Sequence, residues 1–352
     1  MSERAVFYVT TPSAHAKSII STEFERCELT ATEPYQGVLA VHFHPGKFER
    51  LSATLTAELA PDELQRSRCR IVNGGTIPSP SDLMQTQSLD NFLTWVRCQW
   101  LTHLIRDGQL TTFFQPIVDC QSPRRVFAYE CLLRGKQADG EMLPPDLLFA
   151  AARATDQVAL LDAAAKRVHI EAAARPQLDC KMFINFNPSG DLNSDDGLRE
   201  TLSAVKQTGL SADRFVFEVV ESDRTSDAAA LVRILDAYRR HGFQVALDDF
   251  GAGYNSLNLL TEIKPDFIKL DMHLIRDVDR DPYKARVAAK VLELAQELAV
   301  GTVVEGVETF GEWQWSADHG ANYAQGFLFA KPAAIPPASR FRPEAAGVAA
   351  LA

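Results

Sequence analysis

The carboxyl-terminal two-thirds of the sequence alternates short apolar segments with amphipathic helical patterns. Strands that alternate with helices favour parallel βα units. Eight such units in one continuous stretch predict an α/β fold, a TIM-like (β/α)8 barrel. The eight strand candidates are residues 112–118, 126–132, 182–186, 215–219, 244–248, 267–270, 302–305 and 323–327.

The first two strand candidates are the exception to this alternation. Only residues 119–125 separate them, whereas a parallel crossover connection needs about ten to twelve residues or more. The first strand is therefore expected to run antiparallel to the second. The predicted barrel has one reversed strand.

The amino-terminal part is predicted to be a small α+β regulatory domain of unknown ligand. Residues 1–80 follow a β-α-β-β-α-β pattern, which is typical of a split βαβ domain. Residues 81–106 are expected to form a linker and an amphipathic connecting helix. The barrel then occupies residues 107–340, and residues 341–352 form a tail.

Charge and composition exclude several classes of protein. The net charge of −10 disfavours binding to nucleic acid or to an anionic membrane. No apolar stretch approaches the roughly 18 residues of a membrane span, and the amino terminus lacks signal-peptide features, so we expect a cytoplasmic protein. Six cysteines without a CxxC pair argue against a zinc ribbon or a disulfide scaffold. His42 and His44 would share a face of a strand, but a place in the turn before Pro45 is favoured over a metal site.

The stretch Leu-Asp-Asp-Phe-Gly-Ala-Gly-Tyr-Asn-Ser-Leu at residues 247–257 gives the strongest local signal. An apolar strand pattern ends at Asp248 and Asp249, and a glycine-spaced loop and an amphipathic segment follow. Adjacent carboxylates repel each other unless a cation or a hydrogen-bond network holds them. Taken alone, a solvated Asp-rich turn explains the stretch equally well.

Polar residues recur at or near the ends of strands two to eight. The carboxyl ends of TIM-barrel strands converge on one mouth, so these side chains are expected to face one another. Carboxylate and amide oxygens suit Mg²⁺ or Mn²⁺ better than zinc, and two such ions that share a carboxylate suit the hydrolysis of phosphate esters. Any one of these residues has a structural alternative, such as a turn acid or an ion-paired lysine; their recurrence at strand ends favours a site. The set is Glu130, Asn185, Glu218, Glu221, Asp248, Asp249, Lys269, Asp271, Glu305, Glu308 and Gln325.

Eight ordered motifs lie between about residue 100 and residue 335. They are Phe-Gln-Pro-Ile-Val at 114–118, Glu-Cys-Leu-Leu-Arg at 130–134, Ile-Asn at 184–185, Glu-Val-Val-Glu-Ser at 218–222, Asp-Asp-Phe-Gly-Ala-Gly-Tyr at 248–254, Ile-Lys-Leu-Asp at 268–271, Glu-Gly-Val-Glu-Thr at 305–309 and Gln-Gly-Phe-Leu-Phe-Ala-Lys-Pro at 325–332. By these motifs the segment resembles an EAL domain, the family of cyclic-di-GMP phosphodiesterases of bacterial second-messenger signalling. The resemblance implies a hydrolase that opens cyclic di-GMP to linear pGpG with two Mg²⁺ or Mn²⁺ ions in each active site. It also implies a homodimer, with a signal or a partner protein acting at the amino-terminal domain.

The resemblance assigns roles by motif position. The first ion would be held by Glu130, Asn185, Glu218 and Asp248. Asp248 would bridge to a second ion held by Asp249 and Glu305, and Asp271 belongs to the metal-binding set. The implied catalytic residues are Lys269, which steadies water or developing charge, Glu305 as a proton acceptor, and Glu221, which anchors the 249–254 loop. The implied substrate contacts are Arg134 to phosphate, Gln115 at a guanine pocket, and Gln325.

The departures from the family pattern are few. Cys131 replaces alanine in the signature triplet, which reads Glu-Cys-Leu, and Asn187 and Val304 stand where serine and alanine are more common. The glutamate carries the chemistry of the triplet, so activity is expected to survive. The alternatives are a catalytically silent EAL domain that binds cyclic di-GMP or a protein partner, and an unrelated TIM-barrel metalloenzyme. The complete set of site residues favours an active enzyme.

Overall fold

The computed structural model describes residues 5–72, 85–137, 139–175, 178–187, 196–220, 228–253 and 256–342. The chain divides into two compact units, which comprise residues 1–107 with 149–157 and residues 108–148 with 158–352. Each unit has its own hydrophobic core. Within the described ranges, no helix is both long enough and apolar enough to cross a bilayer.

The first unit is an α+β domain built on an antiparallel sheet. The strand order is β2-β3-β1-β4-β5, and every pairing between neighbours is antiparallel. Its elements in chain order are β1 (Val6–Thr10), α1 (Ala14–Arg26), β2 (Thr32–Tyr35), β3 (Val38–His42), α2 (Pro45–Glu58), α3 (Pro61–Arg66), β4 (Arg68–Val72), β5 (Gln87–Ser88), α4 (Leu89–Arg97) and α5 (Gln99–Arg106).

The predicted β-α-β-β-α-β order is found in this unit, with α3 and β5 in addition. Phe7, Phe24, Phe48 and Phe92 are fully buried in its core. The amphipathic pattern after residue 88 forms two helices, α4 and α5, which meet at Cys98.

Two other sequence expectations fall in this unit. Residues 81–84 of the predicted linker lie outside the described residues, and residues 85–88 are described. His42 ends β3, whereas His44 is the N-cap residue of α2, so the two histidines lie on different elements and not on one face of a strand.

The described part of the second unit contains nine strands and most of the remaining helices. Its strands are β6 (Leu110–Asp119), β7 (Val126–Lys136), β8 (Met142–Leu143), β9 (Lys181–Asn185), β10 (Phe215–Val220), β11 (Gln244–Phe250), β12 (Phe267–Leu270), β13 (Gly301–Val304) and β14 (Tyr323–Gln325). The helices from α6 onward are α6 (Pro145–Ala154), α7 (Val158–Ala173), α8 (Asp196–Thr208), α9 (Ala228–Arg240), α10 (Ser256–Ile263), α11 (Met272–Ile275), α12 (Pro282–Glu297) and α13 (Phe310–Asp318), with a 3-10 turn at Ala212–Arg214.

Eight of the nine strands close into a barrel. The order is β6-β14-β13-β12-β11-β10-β9-β7, and a further pairing of β6 with β7 closes the ring. β6 runs antiparallel to both β7 and β14, and the other neighbours are parallel. The prediction of a TIM-like barrel with a reversed first strand is confirmed. The short β8 pairs only with the end of β7.

Aromatic side chains fill the amino-terminal end of the barrel. The rings of Phe127 and Tyr323 stack with their centroids 3.7 Å apart, and Phe183 and Phe267 pack edge to face at 5.3 Å. These residues lie at or near the starts of their strands. The apolar packing at this end leaves the opposite end, where the strands finish, for polar side chains.

Candidate active site

A buried lysine lies at the centre of the polar residues at the carboxyl end of the barrel. The Nζ atom of Lys269, on β12, is 2.7 Å from Oε1 of Glu218 and 2.7 Å from Oε1 of Glu305. It is 3.0 Å from Oδ1 of Asp248 and 3.8 Å from Oε1 of Glu130. The Lys269 side chain is only 1% exposed. The structure therefore brings together four predicted carboxylates from separate barrel segments around one ammonium group.

Gln325 extends this cluster across the closure of the barrel. Its Nε2 atom donates a hydrogen bond to Oε2 of Glu130, which joins β14 to β7. Its own carboxamide oxygen is buried and has no hydrogen-bond partner among the described residues, and the same is true of Oε2 of Glu218. A buried oxygen without a partner is costly. These two atoms are open acceptor positions beside the lysine.

Asp248 and Asp249 reach the cluster through an irregularity in β11. The register between β11 and β12 shifts between Leu247 and Phe250, and Asp249 has a left-handed backbone with φ 54°. One ligand oxygen each from Asp248, Asp249 and Glu305 lies within 4.8 Å of the other two. The irregularity places two adjacent carboxylates in one group, which a regular strand would point to opposite faces.

Four carboxylates surround a single ammonium group in this cluster. Burial, reinforced by Glu130 and Asp248, raises the pKa of Glu218 well above its usual range despite the nearby Lys269. Burial likewise raises the pKa of Glu305 to about 8. Burial opposes the charge of Lys269, but Asp248 and the three glutamates outweigh it and raise its pKa well above its usual value. One ammonium cannot neutralise so many acids, and further cations would stabilise them.

Two predicted substrate contacts lie on the β6–β7 hairpin, which also carries Glu130. Gln115 is directly opposite Glu130 in the register of the two strands, so their side chains project from the same face. The Arg134 guanidinium lies 5.1 Å from the centroid of the Phe113 ring and donates to the Leu133 carbonyl. The hairpin thus supplies an amide opposite Glu130 and a guanidinium four residues farther along β7.

The remaining predicted residues have different surroundings. Asn185 ends β9, pairs in register with Glu218 and is exposed. Asp271 is the N-cap residue of α11, where its Oδ1 accepts from the His273 backbone N–H at 2.8 Å and lies 2.7 Å from the ring Nδ1. Only its Oδ2 is left for the predicted metal contact. Glu221 lies outside the described residues.

Glu312 is a residue of the site that the sequence analysis did not identify. Its Oε2 accepts from the backbone N–H groups of Glu308 and Thr309, at 2.9 and 3.0 Å, and its Oε1 accepts from that of Asp277 at 3.1 Å. Glu312 therefore ties the loop after Glu305 to the segment that follows α11. The signal was present in the sequence, because Thr309-x-x-Glu312 is a capping-box pattern.

Comparison with known proteins places these features in a family. A sequence profile described as the EAL domain matches residues 98–332. A solved structure of a standalone versatile EAL protein from Vibrio cholerae O395, in its c-di-GMP-bound form, is 33% identical with a TM-score of 0.58, and the match covers 65% of this chain and 95% of that one.

Two curated relatives come from Escherichia coli K12, and both are 29% identical over the matched region. The probable cyclic di-GMP phosphodiesterase PdeG matches over 237 residues, which are 66% of this chain and 46% of PdeG. The blue light- and temperature-regulated antirepressor BluF matches over 219 residues, which are 62% of this chain and 53% of BluF. The chain thus spans about half the length of these two relatives.

Proposed function

This chain belongs to the EAL domain family, and from that premise we propose that it hydrolyses one phosphodiester bond of cyclic di-GMP to give linear pGpG, with two Mg²⁺ or Mn²⁺ ions. The observation that carries the proposal is the group of four carboxylates around the buried Lys269. The name of PdeG and the c-di-GMP bound to the Vibrio cholerae protein support the choice of substrate.

The residues present fit divalent cations. The donor atoms are carboxylate and amide oxygens, which hard cations such as Mg²⁺ and Mn²⁺ prefer. Oε2 of Glu218 and Oε1 of Gln325 are buried acceptors without a hydrogen bond among the described residues. Asp248, Asp249 and Glu305 bring three further ligand oxygens within 4.8 Å of one another.

The proposed ligand sets are those that the family resemblance implies, and this arrangement supports them. Asp248 would serve both ions, because its Oδ1 lies 3.0 Å from Nζ of Lys269 and it also belongs to the cluster of Asp248, Asp249 and Glu305. The first ion would be held by Glu130, Asn185, Glu218 and Asp248. The second would be held by Asp248, Asp249 and Glu305, with Oδ2 of Asp271 as a further contact.

Residues of the chain then accept the proton and stabilise the developing charge. Divalent cations held by these residues would neutralise the clustered acids and would make a nearby water easier to deprotonate. Glu305 is the proposed proton acceptor for the attacking water, because its carboxylate lies 2.7 Å from Nζ of Lys269 and within 4.8 Å of ligand oxygens of Asp248 and Asp249. Lys269 stays charged, so it stabilises the negative charge that develops on the phosphate and does not act as a base.

Substrate binding is proposed for the β6–β7 hairpin and β14. Arg134 pairs with a phosphate, since a guanidinium makes strong charge-assisted hydrogen bonds to phosphate oxygens. Gln115 borders the guanine pocket, and Gln325 joins the substrate contacts while it orients Glu130. The proposal extends to a cytoplasmic homodimer whose first unit receives a signal or a partner protein and regulates the barrel, and to an anchoring role for Glu221.

The decisive experiment is a nucleotide assay on the full chain. Purified protein is incubated with cyclic di-GMP and Mg²⁺ or Mn²⁺, with an EDTA control, and the products are separated by chromatography. We expect metal-dependent pGpG from the wild type and none from Glu130→Gln, which keeps the shape of the side chain but removes a charged ligand. Turnover in EDTA, or full activity in Glu130→Gln, would contradict the metal assignment.

The second candidate function is that of a catalytically silent EAL domain that binds cyclic di-GMP or a protein partner. It is favoured by one observation, since the relative BluF is named as an antirepressor. Isothermal titration calorimetry with cyclic di-GMP separates the two functions. Tight binding with intact nucleotide after long incubation in Mn²⁺ would establish the effector and overturn the enzyme.

A further inference from the structure

A buried ion pair lies in the layer of helices outside the barrel. Asp162 and Lys166 are one turn apart on α7, and Oδ2 of Asp162 is 3.0 Å from Nζ of Lys166. Their side chains are only 6% and 4% exposed. Neither residue belongs to the EAL motifs of the sequence, and neither is among the proposed ligands.

The pair is connected to the chain segment that directly follows Asn185. Oδ1 of Asp162 accepts a hydrogen bond from the backbone N–H of Asn187 at 3.1 Å. The ammonium of Lys166 lies 4.8 Å from the centroid of the Phe186 ring, which is 2% exposed. The Phe186 N–H donates to the carbonyl of Glu218 at 2.8 Å. The two residues after Asn185 are therefore fixed on one side to α7 and on the other to β10.

Stability alone does not account for such a pair. Removing two charges from water costs several kcal/mol per ion, and apolar residues of similar volume often serve the fold equally well or better. The hydrogen bond to Asn187 is a contact that an apolar pair would not make. Asn185 itself is exposed, so the backbone on either side contributes to the direction of its carboxamide.

We propose that Asp162 is a positioning residue for Asn185, and that Lys166 keeps the Asp162 carboxylate charged and oriented. The carboxylate fixes the backbone at Asn187, and this fixes the direction in which the Asn185 carboxamide projects toward the proposed cation. The inference rests on the proposed function, because it takes Asn185 as a ligand of the first ion. It assigns to α7 a part in cation affinity that the motifs do not indicate.

Two matched double variants of the full chain isolate the hydrogen bond. Asp162→Asn with Lys166→Met removes both charges but keeps an acceptor oxygen for the Asn187 N–H. Asp162→Leu with Lys166→Met removes the same charges and the acceptor. Mn²⁺ affinity is measured by isothermal titration calorimetry without substrate, and Tm serves as the control for folding. Should the Leu variant fail to fold, Asp162→Ala with Lys166→Met removes the same acceptor without added bulk.

We expect the Asn/Met variant to bind Mn²⁺ within about threefold of the wild type, and the Leu/Met variant to bind at least about tenfold more weakly, as for other residues that orient metal ligands. In an Asn185→Ala background the difference between the two variants should disappear. Equal affinities in the two variants, or a difference that persists without the Asn185 carboxamide, would overturn the inference.

The same series separates this inference from the proposed function. Wild-type protein that binds Mn²⁺ but leaves cyclic di-GMP intact overturns the phosphodiesterase proposal alone. Wild-type protein that binds no Mn²⁺ overturns the ligand set and the positioning role together.

Discussion

The carboxylates of Asp248 and Asp249 belong to one cluster although the two residues are adjacent in β11. A ligand oxygen from each lies within 4.8 Å of the other and of one from Glu305. The register shift in β11 and the left-handed φ of 54° at Asp249 make this possible. Aspartate and asparagine tolerate that backbone region better than most residues. The identity of residue 249 is therefore constrained by its backbone as well as by its charge.

Asp249→Asn should separate these two constraints. Asparagine adopts the same backbone, so we expect an unchanged Tm, but Mn²⁺ affinity should fall at least about tenfold because a charged ligand is lost. Asp249→Ala should lose the same affinity and also about 1 kcal/mol of stability from left-handed strain. Calorimetric titration and thermal unfolding measure the two effects. An Asn variant with wild-type affinity would remove Asp249 from the ligand set.

The barrel and most of the residues around Lys269 were predictable from the sequence. Strand ends in a TIM-like barrel converge, so apolar runs that finish in Glu218, Asp248 or Lys269 indicate a shared site before any contact is known. The reversed direction of the first strand was predictable from the short connection at residues 119–125. These inferences depend on local pattern and on general topology, which a single sequence contains.

The remaining features depend on contacts between distant segments. Nothing in the sequence shows that β11 shifts its register at Asp248, because the pairing depends on its neighbouring strands. The Asp271 carboxylate was predicted only as a metal ligand, and the structure shows in addition that it caps α11. Asp162 lies in an apolar helical pattern, and its partner Asn187 lies in the segment that follows β9. The strand-end pattern therefore located the acids but not the groups that orient them.

Lys269→Met should destabilise the protein most strongly when cations are absent. The substitution leaves four carboxylates without their shared ammonium, and loss of one partner of a buried ion pair costs about 3–5 kcal/mol. We expect a lower Tm in EDTA and a larger recovery on addition of Mn²⁺ than in the wild type. Lys290→Met is the matched control, since Lys290 pairs with Glu293 at an exposed position, and its Tm should not change. An unaltered Tm for Lys269→Met in EDTA would contradict the role of the Lys269 ammonium in offsetting the charge of the four carboxylates.

Gly326→Ala should disrupt the loop that follows Gln325. A Cβ at this position would lie 2.0 Å from the carbonyl oxygen of Val307 and 2.4 Å from its amide nitrogen. The backbone would have to move, at a cost of about 3 kcal/mol, and the movement would weaken the hydrogen bond from Gln325 to Glu130. Gly46→Ala is the control because nothing lies within 4 Å of its added Cβ. Equal free energies of unfolding for the two variants would contradict the close contact between residue 326 and the backbone of Val307.

Glu312→Gln should loosen the loops after β12 and β13. Three backbone N–H groups donate to the two carboxylate oxygens, and glutamine offers only one oxygen. We expect a loss of about 2–3 kcal/mol, because buried donors are left without an acceptor. Thr309→Val removes only the cap on the Glu312 N–H and should cost about 1 kcal/mol. Urea unfolding of both variants measures which of them loses more stability. A smaller loss for Glu312→Gln than for Thr309→Val would contradict the role of the Glu312 carboxylate in holding the two loops.

Stability at acid pH should depend on His169, which is buried and lies 2.8 Å through its Nδ1 from the hydroxyl of Thr112. Burial lowers the pKa of His169 from 6.5 to about 3. Between these two values the unfolded chain binds a proton that the folded chain does not, so this contribution to stability is lost as the pH falls. The expected slope approaches about 1.4 kcal/mol per pH unit well below 6.5.

His169→Asn removes the titrating group and leaves a polar side chain near Thr112. From pH 7 to pH 5 the wild type should therefore lose about 2 kcal/mol more than this variant. Native-state hydrogen exchange of amides in β10 and β11 measures the free energy of unfolding of the barrel at each pH. Parallel pH profiles for the two proteins would mean that His169 is protonated in the folded barrel. A free energy of unfolding that falls more steeply with decreasing pH in the wild type would show that burial keeps the His169 imidazole neutral in the folded barrel.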